Sequence, residues 1–278
     1  MSLVDGNRDL RGMQTEWHRL TVGEVTERLS VGAIVLWPIG ATEQHGPHLA
    51  TGFDHLAAER VVAAAAVRLL PEVLVLPNLA FGCSPHWVRL GGTVTLGHET
   101  LFHVMRDVCR STARAGAGHL VIVNGHMGNV ATGLAVLSEF VESELTVEFV
   151  SYWDLIDPQV LGQRVHDGAG VGHAGEFETS IGFAMGDLVR SDFVPDPPTT
   201  RPWTSDGPGH PAVRRAVDAA RDTVGGVVGT ASNATAALGT PLLEAAVDGL
   251  VAHCLAVRQA AGLTHPPSAP PTVGAKPT

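Results

Sequence analysis

Four short apolar runs rich in β-branched residues recur along the chain, and longer stretches of mixed apolar and charged residues separate them. The apolar runs, at residues 33–39, 73–79, 119–123 and 147–152, have the length and composition of buried strands. The stretches between them are rich in alanine, leucine, arginine and glutamate and predict helices at residues 55–70, 99–115 and 129–144. Further helices are predicted at residues 176–185, 211–224 and 241–261. Strands that alternate with helices in this way predict an α/β fold, with a mostly parallel central sheet covered by helices on both faces.

The pattern contains no internal repeat and no stretch that resembles a linker. We therefore predict a single hydrolase domain at residues 16–262. Residues 1–15 are polar and are predicted to be flexible. Residues 263–278 are rich in proline and are predicted to be disordered.

The composition narrows the function classes. The chain is 45% hydrophobic and 17% charged, which favours strands buried on both faces and surface buried between subunits. Its net charge of −10 argues against nucleic acid as a partner. Three widely spaced cysteines, the absence of a secretory signal in residues 1–11 and charges that interrupt the apolar stretches predict a soluble cytoplasmic protein without membrane spans.

The segment at residues 40–54 carries the first candidate chemistry. Glu43, His45 and Asp54 lie within twelve residues, directly after an apolar run. Residues two apart on an extended chain face the same side, so Glu43 and His45 can converge on one point. His126 follows the apolar run at 119–123 and Trp153 follows the run at 147–152, so the same edge of a parallel sheet should hold all of them.

A second polar cluster lies at residues 172–180. It contains His173, Glu176 and Glu178, the two glutamates at the predicted start of a helix. Carboxylates in a first turn also complement the helix dipole, so one of the two has a structural explanation. Together with Glu43, His45, Asp54 and His126, one glutamate of this cluster completes a five-ligand set that suits a two-metal centre of Zn²⁺ with Zn²⁺, Mn²⁺ or Fe²⁺.

Two motifs point elsewhere and are weak. Residues 170–175 match the glycine pattern of dinucleotide-binding loops, but a polar stretch and not a buried strand precedes them. The chain contains no GxSxG sequence, so a serine hydrolase has little support.

Taken together, these motifs resemble the creatininase (creatinine amidohydrolase) family from about residue 16 to about residue 261. Four segments carry the resemblance: residues 40–54, with Glu43, His45 and Asp54, and residues 124–126, 151–154 and 177–180. It implies a three-layer α/β/α sandwich, assembly as a homo-oligomer (commonly a hexamer) and two divalent metal ions per subunit. On this basis Glu43 and His126 would hold one ion, His45 the other, and Asp54 would bridge them.

The chain departs from creatininase at several positions. Creatininase has a glutamate where this chain has Gly128, and an apolar residue where this chain has Glu176. We therefore expect Glu176 to supply the missing carboxylate as a metal ligand and catalytic group. The loop at residues 82–87 also differs in length and content, which makes creatinine an unsuitable substrate. His86 and Trp87 in this loop are candidate substrate contacts, and Trp153 either covers the site or packs in the core.

These features predict hydrolysis of the C–N bond of a cyclic amide by a hydroxide that bridges two ions, with His173 moving the proton to the leaving nitrogen. The alternatives within the scaffold are a formamide, a peptide-derived amide or a keto-sugar ring. A different class is a structural metal-binding protein, although mixed carboxylate and histidine ligands beside loops favour an open, catalytic site.

Overall fold

A parallel sheet of four strands forms the centre of the fold. The computed structural model describes residues 14–166, 170–195 and 216–263. Its strands are β1 (Ile34–Ile39), β2 (Val73–Val75), β3 (His119–Asn124) and β4 (Thr146–Ser151). They lie in the order β2-β1-β3-β4, and every neighbouring pair is parallel. The prediction of an α/β fold with a parallel central sheet is confirmed.

Helices cover both faces of this sheet. The described residues contain α1 (Val22–Ser30), α2 (Phe53–Arg68), α3 (His98–Arg114), α4 (Val130–Leu137), α5 (Pro158–Arg164), α6 (Glu176–Ala184), α7 (Ala219–Asp222) and α8 (Ala236–Ala260). One apolar core unites the sheet with α2, α6 and α8, and a second unites it with α1, α3 and α4. The protein therefore has three layers.

The alternation of side chains along each strand divides the two cores. In β1, Ile34 and Leu36 face the core of α2 and α8, whereas Val35 and Trp37 face the core of α3. All six residues of β1 are buried, because successive side chains point to opposite faces and helices cover both. This explains why the strand is a continuous apolar run without polar alternation.

Several element boundaries differ from the predicted ones. The strand predicted at 73–79 ends at Val75, since Pro77 has no N–H to donate to a ladder; pairing resumes only in an isolated bridge between Leu79 and Ile39. The helix predicted at 129–144 is α4, followed by a 3₁₀ turn at Ser138–Phe140.

Other helices were missed or are shorter than predicted. The pattern did not predict α1 or α5. A capping box between Thr21 and Glu24 begins α1, and Asp157 caps α5. Of the helix predicted at 211–224, residues 211–215 lie outside the described residues, and α7 is its only helical part within them. Most of the predicted terminal segments, residues 1–13 and 264–278, also lie outside the described residues.

No membrane span was predicted, and the last helix, α8, is the element to compare with that prediction. By length and composition, α8 is long and apolar enough to cross a bilayer, with a mean hydropathy of 1.4 in its most apolar window. However, Leu242, Ala246 and Leu250 on this helix are fully buried in the core shared with α2 and α6. A core helix of a globular domain passes the same test, and this packing supports that interpretation of α8.

A small polar network attaches α8 to the edge strand β4. The same carboxylate oxygen of Glu148 accepts hydrogen bonds from Nε2 of His119, at 2.8 Å, and from Nε2 of His253, at 2.7 Å. The hydrogen bonds from these two histidines lower the pKa of Glu148 to about 2, and the bond to Glu148 raises the pKa of His253. The network therefore links the stability of the fold to pH.

We expect this contribution to be largest between about pH 4.5 and about pH 6.5, the ordinary pKa values of a glutamate and a histidine. The folded pKa of Glu148 is depressed, so its contribution is lost as the pH falls from 4.5 towards 2. The folded pKa of His253 is raised, so its contribution is present below pH 6.5 and is lost as the pH rises through the raised value.

Urea unfolding of the wild type and of Glu148→Gln at several pH values measures this contribution. The wild type should exceed the variant by at most about 1 kcal/mol in free energy of unfolding, because Glu148 is about one-third exposed. A difference that stays constant with pH would show that the network does not couple stability to protonation.

Candidate metal centre

The candidate site lies at the carboxyl edge of β1 and β3, as the sheet-edge rule predicts. Glu43 and His45 follow β1, and Asp54 occupies the first turn of α2. His126 follows β3, where Asn124 holds it: the Asn124 side chain accepts from the His126 N–H at 3.1 Å and donates to its carbonyl at 2.7 Å. Glu178 reaches the same place from the first turn of α6.

These five side chains form two groups that share Asp54. The first contains Glu43, Asp54 and His126, and the second contains His45, Asp54 and Glu178; within each, the ligand atoms lie within 4.8 Å of one another. Asp54 directs Oδ1 to His45 Nε2 and Oδ2 to His126 Nδ1, both at 3.0 Å. One oxygen on each side is the arrangement of a carboxylate that bridges two cations.

Hydrogen bonds orient the two histidines towards the centre. Nδ1 of His45 lies 3.1 Å from the carbonyl of Glu43, and Nε2 of His126 lies 3.0 Å from the carbonyl of Cys83. Each ring nitrogen at that distance from a carbonyl must carry the hydrogen, so the opposite nitrogen faces Asp54 and can offer its lone pair to a cation once it loses its proton. Metal-ligating histidines typically show this arrangement.

Buried ligand atoms without hydrogen-bond partners also indicate that the site binds cations. Glu43 Oε2, His45 Nε2 and Asp54 Oδ2 are buried and have no hydrogen-bond partner within the described part of the chain. Buried polar atoms are normally hydrogen-bonded, so three such atoms in one place require an explanation. His45 Nε2 and Asp54 Oδ2 each lie 3.0 Å from a neighbouring ligand atom without the geometry of a hydrogen bond. Divalent cations at these centres would satisfy them, and the mixed N/O set fits Zn²⁺, Mn²⁺ or Fe²⁺.

Without a cation, protons compensate the charges of the site. Burial raises the pKa of Glu43 to about 7 and that of Glu178 to about 8. Burial lowers the pKa values of the two histidines, but nearby carboxylates outweigh it and raise that of His45 to about 10 and that of His126 to about 9. Burial also opposes ionisation of Asp54, yet these histidines hold its pKa below the ordinary value. Metal binding would therefore displace protons from the site.

His173 lies beside this centre and forms a third group with Glu43 and His45. Its Nδ1 is 3.5 Å from Glu43 Oε1, and its Nε2 is 2.8 Å from the backbone carbonyl of Gln44. Burial lowers the pKa of His173 well below its ordinary value, and the nearby positive charge of His45 lowers it further. His173 is therefore a neutral imidazole at the edge of the site.

The structure does not bring Glu176 into any of these groups. Its carboxylate accepts a hydrogen bond at 2.8 Å from the backbone N–H of His166. The carboxylate of Glu178, by contrast, lies 3.6 Å from His45 Nε2 and also accepts from the N–H of Ala174. Residues two apart on a helix face different directions, so only one of the two can reach the centre. This geometry favours Glu178 over the expected Glu176 as the last ligand.

The three predicted substrate contacts have different surroundings. The ring of His86 lies parallel to that of His126, with centroids 6.3 Å apart, at the edge of the centre. Trp87 is buried and stacks on His173. Trp153 packs against Tyr152 in the core shared with α2 and α8. Its packing therefore supports the alternative of a core aromatic, and not that of a substrate contact.

Steric crowding explains why position 128 is a glycine. A Cβ there would lie 2.2 Å from the carbonyl oxygen of Cys83 and 2.4 Å from His126 Nε2. The loop at residues 82–87 approaches so closely that no side chain fits. Because this loop supplies the carbonyl that orients His126, the absence of a glutamate at position 128 follows from the local packing.

Sequence reasoning missed Gln44 and Ser84. The backbone of Gln44 contacts His173, and the hydroxyl of Ser84 lies 3.1 Å from His126 Nε2. Gln44 could have been suspected from its position between two predicted ligands. For Ser84 the sequence carries no signal, because its contact depends on how the loop folds back over β3.

A parallel α/β sheet with paired ligand groups at its carboxyl edge defines the class of this protein, and comparisons with known proteins agree. The profile of the creatininase family, described as creatinine amidohydrolase, matches residues 18–254. The creatinine amidohydrolase of Pseudomonas putida is 34% identical over 250 residues, which cover 83% of this chain and 92% of that protein. The chain belongs to the creatininase family.

Two further relatives are informative. The mycofactocin precursor peptide peptidase of Mycobacterium tuberculosis is 37% identical over 133 residues, which cover 42% of this chain and 53% of that protein. A solved structure of creatininase with Mn has a TM-score of 0.73 and 32% sequence identity, and the alignment covers 89% of this chain and 98% of that chain. The fold is therefore that of creatininase over nearly the whole described part of the chain.

Proposed function

We propose that the protein is an amidohydrolase that opens the C–N bond of a cyclic amide other than creatinine, using two divalent cations. One observation carries this proposal: both ligand groups share Asp54, which offers one oxygen to each. When bound, the cations would supply Lewis acidity that polarises the substrate carbonyl and lowers the pKa of water.

The side chains of the site have three roles: metal binding, proton transfer and substrate contact. Glu43 and His126 would hold one cation, His45 and Glu178 would hold the other, and Asp54 would be shared by both. His173 directs Nδ1 towards this centre at the distance given above and moves a proton to the leaving nitrogen. A positioned general acid–base of this kind typically contributes about 10²–10⁴-fold to the rate. His86, at the edge of the centre, contacts the substrate.

A peptide-derived amide is the second candidate substrate, and the similarity to the mycofactocin precursor peptide peptidase favours it. A formamide and a keto-sugar ring are further options within the scaffold. A panel of these compounds, each assayed with the reconstituted protein, separates the options, because only the correct substrate class should be turned over. We place the protein in the cytoplasm as a homo-oligomer, with a hexamer suggested by the family and with neither nucleic acid nor a membrane as a partner.

Removal of the cations should abolish hydrolysis of every compound in the panel. Dialysis against EDTA followed by addition of Zn²⁺, Mn²⁺ or Fe²⁺ should restore it, whereas Ca²⁺, which prefers oxygen ligands, should not. The measurement is the initial rate before and after reconstitution, with metal content determined in parallel. Activity that survives exhaustive chelation would refute the mechanism. Tight metal binding without hydrolysis of any compound would favour a structural metal-binding protein.

The assignment of the last ligand is tested by two matched variants in the same helical turn. Glu178→Gln should lose the cation held by His45 and Glu178, which reduces the bound metal from two ions to one per chain. Glu176→Gln should keep both, since its carboxylate accepts from the His166 backbone. Metal analysis of the purified proteins measures the difference. Loss of metal from the Glu176 variant alone would return the ligand role to that residue.

A further inference from the structure

The indole of Trp87 covers one face of the His173 imidazole. The ring centroids are 3.9 Å apart and the planes make an angle of 19°. Trp87 is 2% exposed and His173 is 8% exposed, so water has little access to this contact. An indole in this position adds a specific stacking contact to the apolar burial.

Trp87 is itself held in place. Its backbone N–H donates to the carbonyl of Ser84 at 3.1 Å, and its own carbonyl accepts from the N–H of Leu90 at 3.0 Å. The neighbouring carbonyl of His86 accepts from the N–H of Ala219, in α7, at 3.2 Å. The backbone that carries the indole is therefore anchored on both sides.

The hydrogen bonds of His173 distinguish its two nitrogens. Nε2 lies 2.8 Å from the carbonyl oxygen of Gln44, where two facing lone pairs would repel, so Nε2 carries the hydrogen. The side-chain amide nitrogen of Gln44 donates to the carbonyl of Gly226 at 3.1 Å, so its 3.1 Å approach to the N–H at Nε2 is a contact between two donors and not a second hydrogen bond. Nδ1 then has the lone pair, and it faces Glu43 and His45.

This arrangement depends on the ring orientation. A half-turn of the imidazole would replace Nδ1 with a C–H group and would break the bond to the Gln44 carbonyl. During such a turn the ring passes through a position perpendicular to its present plane. At a centroid distance of 3.9 Å, the indole leaves no room for that rotation.

We propose that Trp87 is a positioning residue, whose stacking holds His173 in the one ring orientation and tautomer that direct Nδ1 at the metal centre. The proposal rests on the proposed function only for what His173 does there. In this proposal Trp87 acts through His173, in place of its predicted role as a substrate contact.

Nuclear magnetic resonance on the zinc-loaded protein, labelled with nitrogen-15 at histidine, tests this proposal. The signals of His173 are assigned by their absence from His173→Asn. The wild type should show a single tautomer with hydrogen on Nε2, and its ring protons should be shifted upfield by the indole ring current. Trp87→Leu should show broadened signals or both tautomers, without the upfield shift. Trp87→Phe keeps an aromatic face and should restore the single tautomer.

Trp37→Phe is the matched control, because Trp37 is a buried indole in the core of α3. It should leave the His173 signals unchanged. A folded Trp87→Leu protein with the wild-type His173 signals would overturn the proposal, as would a wild type without the upfield shift. The wild-type shift and the phenylalanine variant decide the matter even if the leucine variant does not fold. If no amide is hydrolysed but the tautomer still depends on Trp87, the proposed function fails and the positioning role stands.

Discussion

Asp54→Asn is expected to lose both cations and more than about 10²-fold in turnover. Asp54 is the one side chain common to both ligand groups, and asparagine keeps its shape while removing the charge and one of the two oxygens. Replacement of residues that merely support a metal ligand typically costs 10–100-fold, so loss of a bridging ligand should cost at least as much.

Thermal unfolding with and without added Zn²⁺ measures the effect independently of any substrate. A cation that binds only the folded state raises its stability by about 4 kcal/mol at a concentration of 1,000 times the dissociation constant. The wild type should show the corresponding rise in Tm, and Asp54→Asn should not. Asp107→Asn is the matched control, because it makes the same chemical change on the exposed face of α3. A full Zn²⁺-dependent rise in the Asp54 variant would show that this carboxylate does not bridge the cations.

The parts of the site that could be predicted depend on short-range geometry. The convergence of Glu43 and His45 follows from the two-residue period of an extended chain, and the placement of His126 follows from the edge rule for parallel strands. The sheet itself was predictable because strands buried on both faces leave uninterrupted apolar runs. The early end of β2 had a visible cause in Pro77, although its effect on the ladder was not anticipated.

The parts that could not be predicted depend on contacts between distant segments. The choice between Glu176 and Glu178 is set by the rotation of α6 about its axis, which its packing against α8 determines. Trp153 packs in the core beside Tyr152, and an aromatic residue after a strand fits either location. The stacking of Trp87 on His173 joins residues that are far apart in the sequence.

The same hydrogen-bonding arrangement occurs at His45, His126 and His173. A backbone carbonyl orients each ring: that of Glu43 for His45, that of Cys83 for His126, and that of Gln44 for His173. In each case one ring nitrogen donates its hydrogen to the carbonyl, and the other ring nitrogen faces the centre. Every residue has a backbone carbonyl whatever its type, so the pattern of residue types cannot reveal this arrangement. It explains why His173 presents the same kind of donor as the two proposed ligands although it has a different proposed role.

His173→Ala is expected to reduce kcat by about 10²–10⁴-fold while both cations stay bound. The neutral ring directs its Nδ1 lone pair towards Glu43 and His45 and can accept and return a proton there, whereas Glu43, His45, Asp54, His126 and Glu178 already provide the ligand sets. Metal content and steady-state rates with the compound that the substrate panel identifies should be measured together, with exposed His103→Ala as the control. If the variant loses a cation, His173 is a ligand. The proton must then reach the leaving nitrogen through another group, and His86, parallel to His126 at the edge of the centre, is the first residue to test.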